Sequence, residues 1–155
     1  ADVGSTELID LIGLCAEECA RIDAELEVQT EGEIEVRGIA KLVRRAIRNL
    51  LENARRYSPG PITLFLAQHN GYAEARVADR GPGVPLEQRD RIFEPFYRMP
   101  GASERHGGVG LGLALVRSIA ERHDGTVHCE AREGGGAVFV LQMPLAAGQA
   151  PLHKD

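Results

Sequence analysis

Within its 155 residues the chain has few cysteines, few lysines, no excess of positive charge and no long apolar run. Each shortage excludes something. No stretch approaches the ~20 apolar residues that a membrane-crossing helix needs, and no secretory leader is read in it. Cys15, Cys19 and Cys129 make no disulfide framework, so a reducing compartment is expected. Cys15 and Cys19 stand four apart on a predicted helix beside Leu8, Leu11, Ile12 and Ile22, with no third ligand near. They read as small buried hydrophobes in preference to a metal or redox pair. Lys and Arg number 18 against 23 Asp and Glu, a net charge of −5. That balance argues against nucleic acid as the partner. Lysine occurs only at positions 41 and 154, and neither follows a glycine loop, which excludes a Walker-type phosphate loop.

What remains is ordinary for a globular protein, at 43% hydrophobic and 26% charged, and long enough for one domain with a sizeable core. Glycine is the exception, with 18 residues that cluster. Residues 6–22 read as an amphipathic helix with Thr6 as N-cap, followed by short strands near 25–30 and 33–37. The strongest helical pattern spans 39–57, and Ser58-Pro59-Gly60 stops it. Strands over 62–67 and 72–78 flank the hairpin signal Asn70-Gly71. Residues 80–108 are rich in Gly, Pro and charge, with one short helical piece near 87–92; so long an irregular stretch is usually functional. A helix over 109–123, using Leu111, Leu115, Val116, Ile119 and Ala120, is capped by Gly125. A hairpin of 126–131 and 137–143 turns through Gly134-Gly135-Gly136, and 146–155 reads as a disordered tail. This order implies one α/β layer pair. The start at Ala1, without Met, reads as a piece of a longer protein.

Three constellations carry chemistry. Asn49 and Asn53 lie one helical turn apart on one ridge, continued by Tyr57 and flanked by Arg56. Asn is a mediocre helix former, so two in mid-helix suggest a use. An amide oxygen suits Mg²⁺ and an arginine fork suits phosphate, although spacing alone leaves open a solvated face. Asp79, Gly81 and Gly83 directly follow a strand. An acidic side chain there can accept from an amino group while glycines let a flat ligand approach, and a plain turn is the alternative. Gly107-Gly108-Val109-Gly110-Leu111-Gly112-Leu113 runs into a helix, whose exposed N–H groups suit a phosphate chain. Its spacing is not Gly-x-Gly-x-x-Gly after a strand, which argues against a dinucleotide crossover.

In this order, Arg48-Asn49-Leu50-Leu51-Glu52-Asn53-Ala54, Asp79-x-Gly81-x-Gly83, Ile92-Phe93-Glu94-Pro95-Phe96-Tyr97-Arg98 and Gly108-x-Gly110-Leu111-Gly112-Leu113 closely resemble the four boxes of bacterial sensor histidine kinase ATP-binding domains. The resemblance covers roughly 6–145, and hence a domain over 1–145. It reaches a wider ATPase group with DNA gyrase, MutL and the Hsp90 chaperone. It implies a two-layer α/β sandwich of the Bergerat type, a mixed and mostly antiparallel sheet backed by three main helices, holding ATP and Mg²⁺. By matching position, Asn53 would ligate Mg²⁺ and Asn49 would support the same region. Arg56 and Tyr57 would contact phosphates and nucleotide. Asp79 would accept from the adenine amino group, with Gly81 and Gly83 shaping its pocket. Gly108, Gly110, Leu111 and Gly112 would pass the triphosphate, and Arg98 or Arg105 would reach the γ-phosphate.

The chain departs from the usual pattern in having Arg37-Gly38-Ile39 before the long helix, Val109 for a small hydroxyl residue and Ala137 for Thr. The last removes a hydrogen bond near the nucleotide, so a modest loss of affinity is expected. Of the histidines, only His123-Asp124 has the two letters of the family's phosphoacceptor, and its place at a helix end reads as a turn; His106 is read as solvated or touching phosphate. The resemblance therefore implies transfer of the γ-phosphoryl group to a histidine on a separate helical hairpin, with a response regulator downstream. A cytoplasmic location without direct membrane contact is expected, the parent being free to carry an anchor. The rivals are a conformational ATPase, disfavoured because an amide at Asn49 cannot act as a general base, and a non-catalytic nucleotide-binding module.

Overall fold

The structure, a computed structural model, describes residues 5–99 and 111–146. In chain order its elements are β1 (Glu7–Asp10), α1 (Leu11–Arg21), β2 (Glu25–Val28), β3 (Glu35–Gly38) and α2 (Ala40–Tyr57). They continue with β4 (Thr63–His69), β5 (Tyr72–Ala78), α3 (Gly112–Arg122), β6 (Thr126–Ala131) and β7 (Ala137–Pro144). Five strands form one sheet in the order β2-β4-β5-β7-β6, parallel only between β2 and β4. β1 and β3 make a separate antiparallel pair. The sheet is thus mixed and mostly antiparallel, backed by three α-helices among the described residues, as expected.

Period-two alternation sends Leu64 and Leu66 of β4, Ala73, Ala75 and Val77 of β5, and Phe139, Leu141 and Met143 of β7 to the helix side. There they meet Val43, Ala46, Ile47, Leu50, Leu51 and Ala54 of α2, Leu14, Cys15 and Cys19 of α1, and Val116, Ile119 and Ala120 of α3. The cysteines are buried hydrophobes, as read. Burial pushes the Cys19 thiol up to about 11 and Cys129 to about 12, leaving neither a ready nucleophile.

Four local expectations are corrected. The first helix starts later: Glu7–Asp10 pairs with β3, Leu8 is left 48% exposed, and Asp10 replaces Thr6 as N-cap by accepting from the Gly13 N–H at 3.1 Å. The helix near 87–92 is two short 3-10 turns, Leu86–Gln88 and Arg91–Phe93. In α3, Leu111 and Leu115 are exposed, and Val116, Ile119 and Ala120 make the buried side. Finally, Asp124, at φ 60°, is the left-handed residue ending α3, and the Gly125 N–H bonds the Ala120 carbonyl at 2.8 Å. Gly125 is required instead by packing, because a Cβ there would collide with the Gln142 carbonyl oxygen. The tail expectation over 147–155 lies outside the described residues; Ala146 is buried, its N–H bonding Glu35 O at 2.8 Å.

Polar ties also join the helices. His123 donates from Nδ1 to the Ile119 carbonyl at 2.8 Å and accepts the Ile39 N–H at Nε2, 3.0 Å, fastening the end of α3 to the start of α2. With both ring nitrogens engaged, His123 serves as a tie between the two helices. On α1, Glu18 is buried and accepts from Arg48 Nε at 2.8 Å and Arg44 Nη1 at 2.8 Å. Those hydrogen bonds, that of Arg48 above all, hold the Glu18 carboxyl at about 2 against its ordinary 4.5. A depressed carboxylate adds stability at neutral pH and loses it as pH falls from about 4.5 toward about 2. Glu18→Gln should therefore lower the unfolding free energy by about 2 kcal/mol at pH 7. Urea melts of both proteins from pH 7 down to pH 2.5 should show that gap narrowing below about pH 4.5.

Candidate functional site

Because α2 buries Val43, Ala46, Ile47, Leu50, Leu51 and Ala54, its 3.6-residue period turns Asn49, Glu52, Asn53 and Arg56 the other way. They line one side of a cavity of about 320 Å³. Asp79, Pro82, Gly83 and Val84, from the exit of β5, line another. Ile92, Tyr97, Arg98 and Met99 border it, Leu111, Gly112 and Leu113 open α3 into it, and Ala137 and Phe139 of β7 also contribute. Phe93 packs edge-on to Phe139 with ring centres 6.1 Å apart. The Arg117 guanidinium stands 5.0 Å from the Phe93 ring centre while bonding Asp90 Oδ1 at 2.8 Å, which ties α3 to this border.

Asp79 is 4% exposed, and its backbone completes the β5–β7 ladder by donating to the Ala137 carbonyl at 3.0 Å. Its Oδ1 accepts from the Gly81 N–H at 2.8 Å and the Ala137 N–H at 3.3 Å. Oδ2 has no partner among the described residues, so a buried carboxylate presents one fixed, unsatisfied acceptor to a ligand. Gly81 acts behind the cavity and does not line it: a Cβ there would stand 2.7 Å from the Tyr57 carbonyl oxygen. Gly83, at φ 79°, lies against the Gly136 carbonyl, so the two glycine turns fit together.

On α2, two turns before Tyr57, Asn49 donates from Nδ2 to the Gly112 carbonyl at 3.2 Å, which leaves its Oδ1 without a partner among the described residues. The Asn53 amide makes no hydrogen bond there at all. α3 begins at Gly112 with no side-chain cap among the described residues, so its first N–H groups can face an anion. Among the described residues no group of three or more His, Cys, Asp or Glu is placed to hold a metal by itself.

The cavity thus gathers Asn49, Asn53, Arg56, Tyr57, Asp79, Gly83, Arg98, Leu111 and Gly112 of the expected set. Arg105, Gly108, Gly110 and His106 lie outside the described residues. Glu52, Val84, Ile92, Tyr97, Met99 and Phe139 complete a mostly apolar surround that residue type alone does not mark. Ile92 and Tyr97 sat within a quoted motif, whereas Phe139 looked like any core strand residue.

A mixed sheet backed by helices thus borders a cavity lined by a buried acceptor and by the start of a helix. The chain belongs to the "Histidine kinase-, DNA gyrase B-, and HSP90-like ATPase" family, which matches residues 38–147. It is 40% identical over 128 residues to Sensor protein IrlS of Burkholderia pseudomallei (strain K96243), covering 81% of this chain and 28% of that protein. With Sensor protein RstB of Escherichia coli (strain K12) it shares 44% over 106 residues, 68% of this chain and 24% of that one. The chain therefore spans about a quarter of the length of these two curated relatives. Among solved structures it superposes on the mycobacterial sensor histidine kinase MprB at TM-score 0.72 with 29% identity, covering 90% of this chain and 97% of that one. The ATP binding domain of PrrB from Mycobacterium tuberculosis gives TM-score 0.72 and 28% identity, covering 92% and 99%. The domain is the ATP-binding catalytic type found in sensor histidine kinases.

Gly81 and Gly71 offer a contrast that tests the site. Gly71→Ala, at φ 84° with nothing near its Cβ, should cost about 1–2 kcal/mol of stability and leave nucleotide affinity unchanged. Gly81→Ala should weaken ATP binding at least tenfold, because it pushes the Asp79 loop off the Tyr57 carbonyl. Thermal melts paired with calorimetric titration distinguish the two.

Proposed function

We propose that the domain binds Mg²⁺–ATP in this cavity and donates the γ-phosphoryl group to a histidine nitrogen on a separate dimeric helical hairpin, which then serves a response regulator. The observation that carries this reading is the polarity of the cavity. A buried carboxylate with one open oxygen, two amides, arginines and the start of a helix that no described side chain caps all line it. The cavity volume of about 320 Å³ suits a small molecule. The Asp79 Oδ2 accepts the adenine amino group, with Gly83 close to the base. Arg56 and Tyr57 reach the nucleotide from the last turn of α2, and the start of α3 with Leu111, preceded in the sequence by Gly108 and Gly110, receives the phosphates.

The open amide oxygens fit a metal carried by phosphate: Asn53 would hold Mg²⁺ with Asn49 beside it, and the ion would neutralise charge on the phosphate oxygens. Arg98, and Arg105 by its place in the sequence, are assigned to the γ-phosphate. Asn49 holds no proton-accepting group, which disfavours water activation at that place. No helix among the described residues is long and apolar enough to cross a membrane. A cytoplasmic domain of a parent that is free to be membrane-anchored accords with the sensor relatives.

Incubation with γ-labelled ATP tests the reaction. The chain alone should bind ATP, carry no acid-labile label and release little phosphate. Adding the parent's acceptor hairpin as a separate fragment should produce labelled hairpin, slowly, because tethering is lost. Rapid phosphate release by the chain alone would overturn this and point to Glu52, at the cavity rim, as a base for water.

For the metal, Asn53→Ala should weaken ATP binding strongly with Mg²⁺ and little without it. Equal losses in both titrations would remove Asn53 from the metal site.

A further inference from the structure

The turn between β6 and β7 contains Gly134, Gly135 and Gly136 at φ 87°, 114° and 109°, a run that no ordinary side chains would adopt. Three consecutive glycines have little stiffness of their own, yet this turn delivers the Ala137 N–H to the Asp79 carboxylate. Something must hold it. Arg80, the residue after that carboxylate, reaches across and donates from Nη1 to both the Glu133 carbonyl at 2.8 Å and the Gly135 carbonyl at 3.0 Å. The fit leaves no slack beneath: a Cβ on Gly136 would collide with the Asp79 carbonyl, and one on Gly134 would stand 3.0 Å from Arg80 Nη1. Arg132, at the foot of the turn, donates its own N–H to the Gly136 carbonyl at 3.0 Å.

We propose that Arg80 is a positioning residue for base recognition: by stapling the triple-glycine turn to the β5 exit, it holds the Ala137 N–H on Asp79 Oδ1 and so aims Oδ2 at the base. The inference rests on the reading that Asp79 contacts adenine. Arg80 is exposed and does not line the cavity, so it acts through Asp79 and not by touching the nucleotide. A loosened turn lets the carboxylate rotate between its two oxygens, and ATP loses its oriented acceptor. GTP, which offers a carbonyl oxygen at that edge, loses nothing by the same change.

The test measures ATP and GTP affinity of this chain by calorimetry in Arg80→Met, which keeps the stem and removes the donors, and in Arg80→Lys, which keeps a donor. Arg80→Met should weaken ATP about threefold to tenfold and leave GTP unchanged, narrowing the preference. Arg80→Lys should restore most of it. In Arg80→Met the Ala137 amide should exchange its hydrogen faster. Asp79→Asn should narrow the preference too, and adding Arg80→Met to it should narrow it no further. If Asp79→Asn narrows the preference and Arg80→Met does not, the role of Arg80 is overturned while Asp79 stands. Equal losses for ATP and GTP in Arg80→Met would mark a purely structural arginine and overturn it as well. Undiminished preference in Asp79→Asn would overturn the base reading and this inference with it. Should Arg80→Met fail to fold, Arg80→Gln carries the same comparison.

Discussion

Six buried side chains on one side of α2, from Val43 to Ala54, hold the longest helix of the protein in the core, and the site depends on that burial. A helix seated on one apolar ridge has no freedom to rotate, so the opposite ridge is fixed in direction as firmly as the core itself. Asn49 and Asn53 are thereby held on the cavity side, and among the described residues no hydrogen bond occupies their oxygens. The Glu18 carboxylate reinforces the arrangement by pinning α2 through Arg44 and Arg48, and His123 fastens its first turn. Rigidity comes from elements outside the cavity, which leaves polar groups inside it available for a ligand.

The other half of the site is organised by one carboxylate. Burying Asp79 would be costly if both oxygens lacked partners, and two backbone N–H groups from different loops satisfy one of them. That solution needs the 79–83 loop, the 132–136 turn and the end of α2 to meet closely, and glycine occurs where they do. Gly81 clears the Tyr57 carbonyl, Gly136 clears the Asp79 carbonyl, and Gly83 lies on Gly136. The glycine clusters in the sequence therefore mark places where backbone meets backbone as much as places where a ligand approaches.

Regular elements with local determinants were legible in the sequence. The apolar spacing of α2 and the Asn70-Gly71 turn between β4 and β5 each act over a few residues, and both elements lie within a residue or two of expectation. β1 was misread because Leu8, Leu11 and Ile12 fit a helical period over so short a stretch. Its strand form is stabilised by β3, some 28 residues away, which no local pattern reports. The end of α3 was misread for a related reason: glycine is the usual left-handed residue, but here Asp124 takes that conformation because Gly125 is needed against β7.

By itself the sequence determined the identity and order of the polar groups: an amide pair on a helix, an acidic residue after a strand, and glycines leading into a helix. Residue type and spacing carry that information, since they decide which atoms can donate, accept or bear charge. Only the tertiary structure decided how those groups are satisfied. It set which oxygen of Asp79 is used by backbone and which is open, and that Gly81 supports the carboxylate from behind. It also recruited Arg80 and Phe139 to the neighbourhood of the site. The roles of Asp79 and Arg80 depend on contacts more than fifty residues apart, Arg80 with Glu133 and Asp79 with Ala137. Such contacts exist only once the sheet has brought the exit of β5 beside the start of β7.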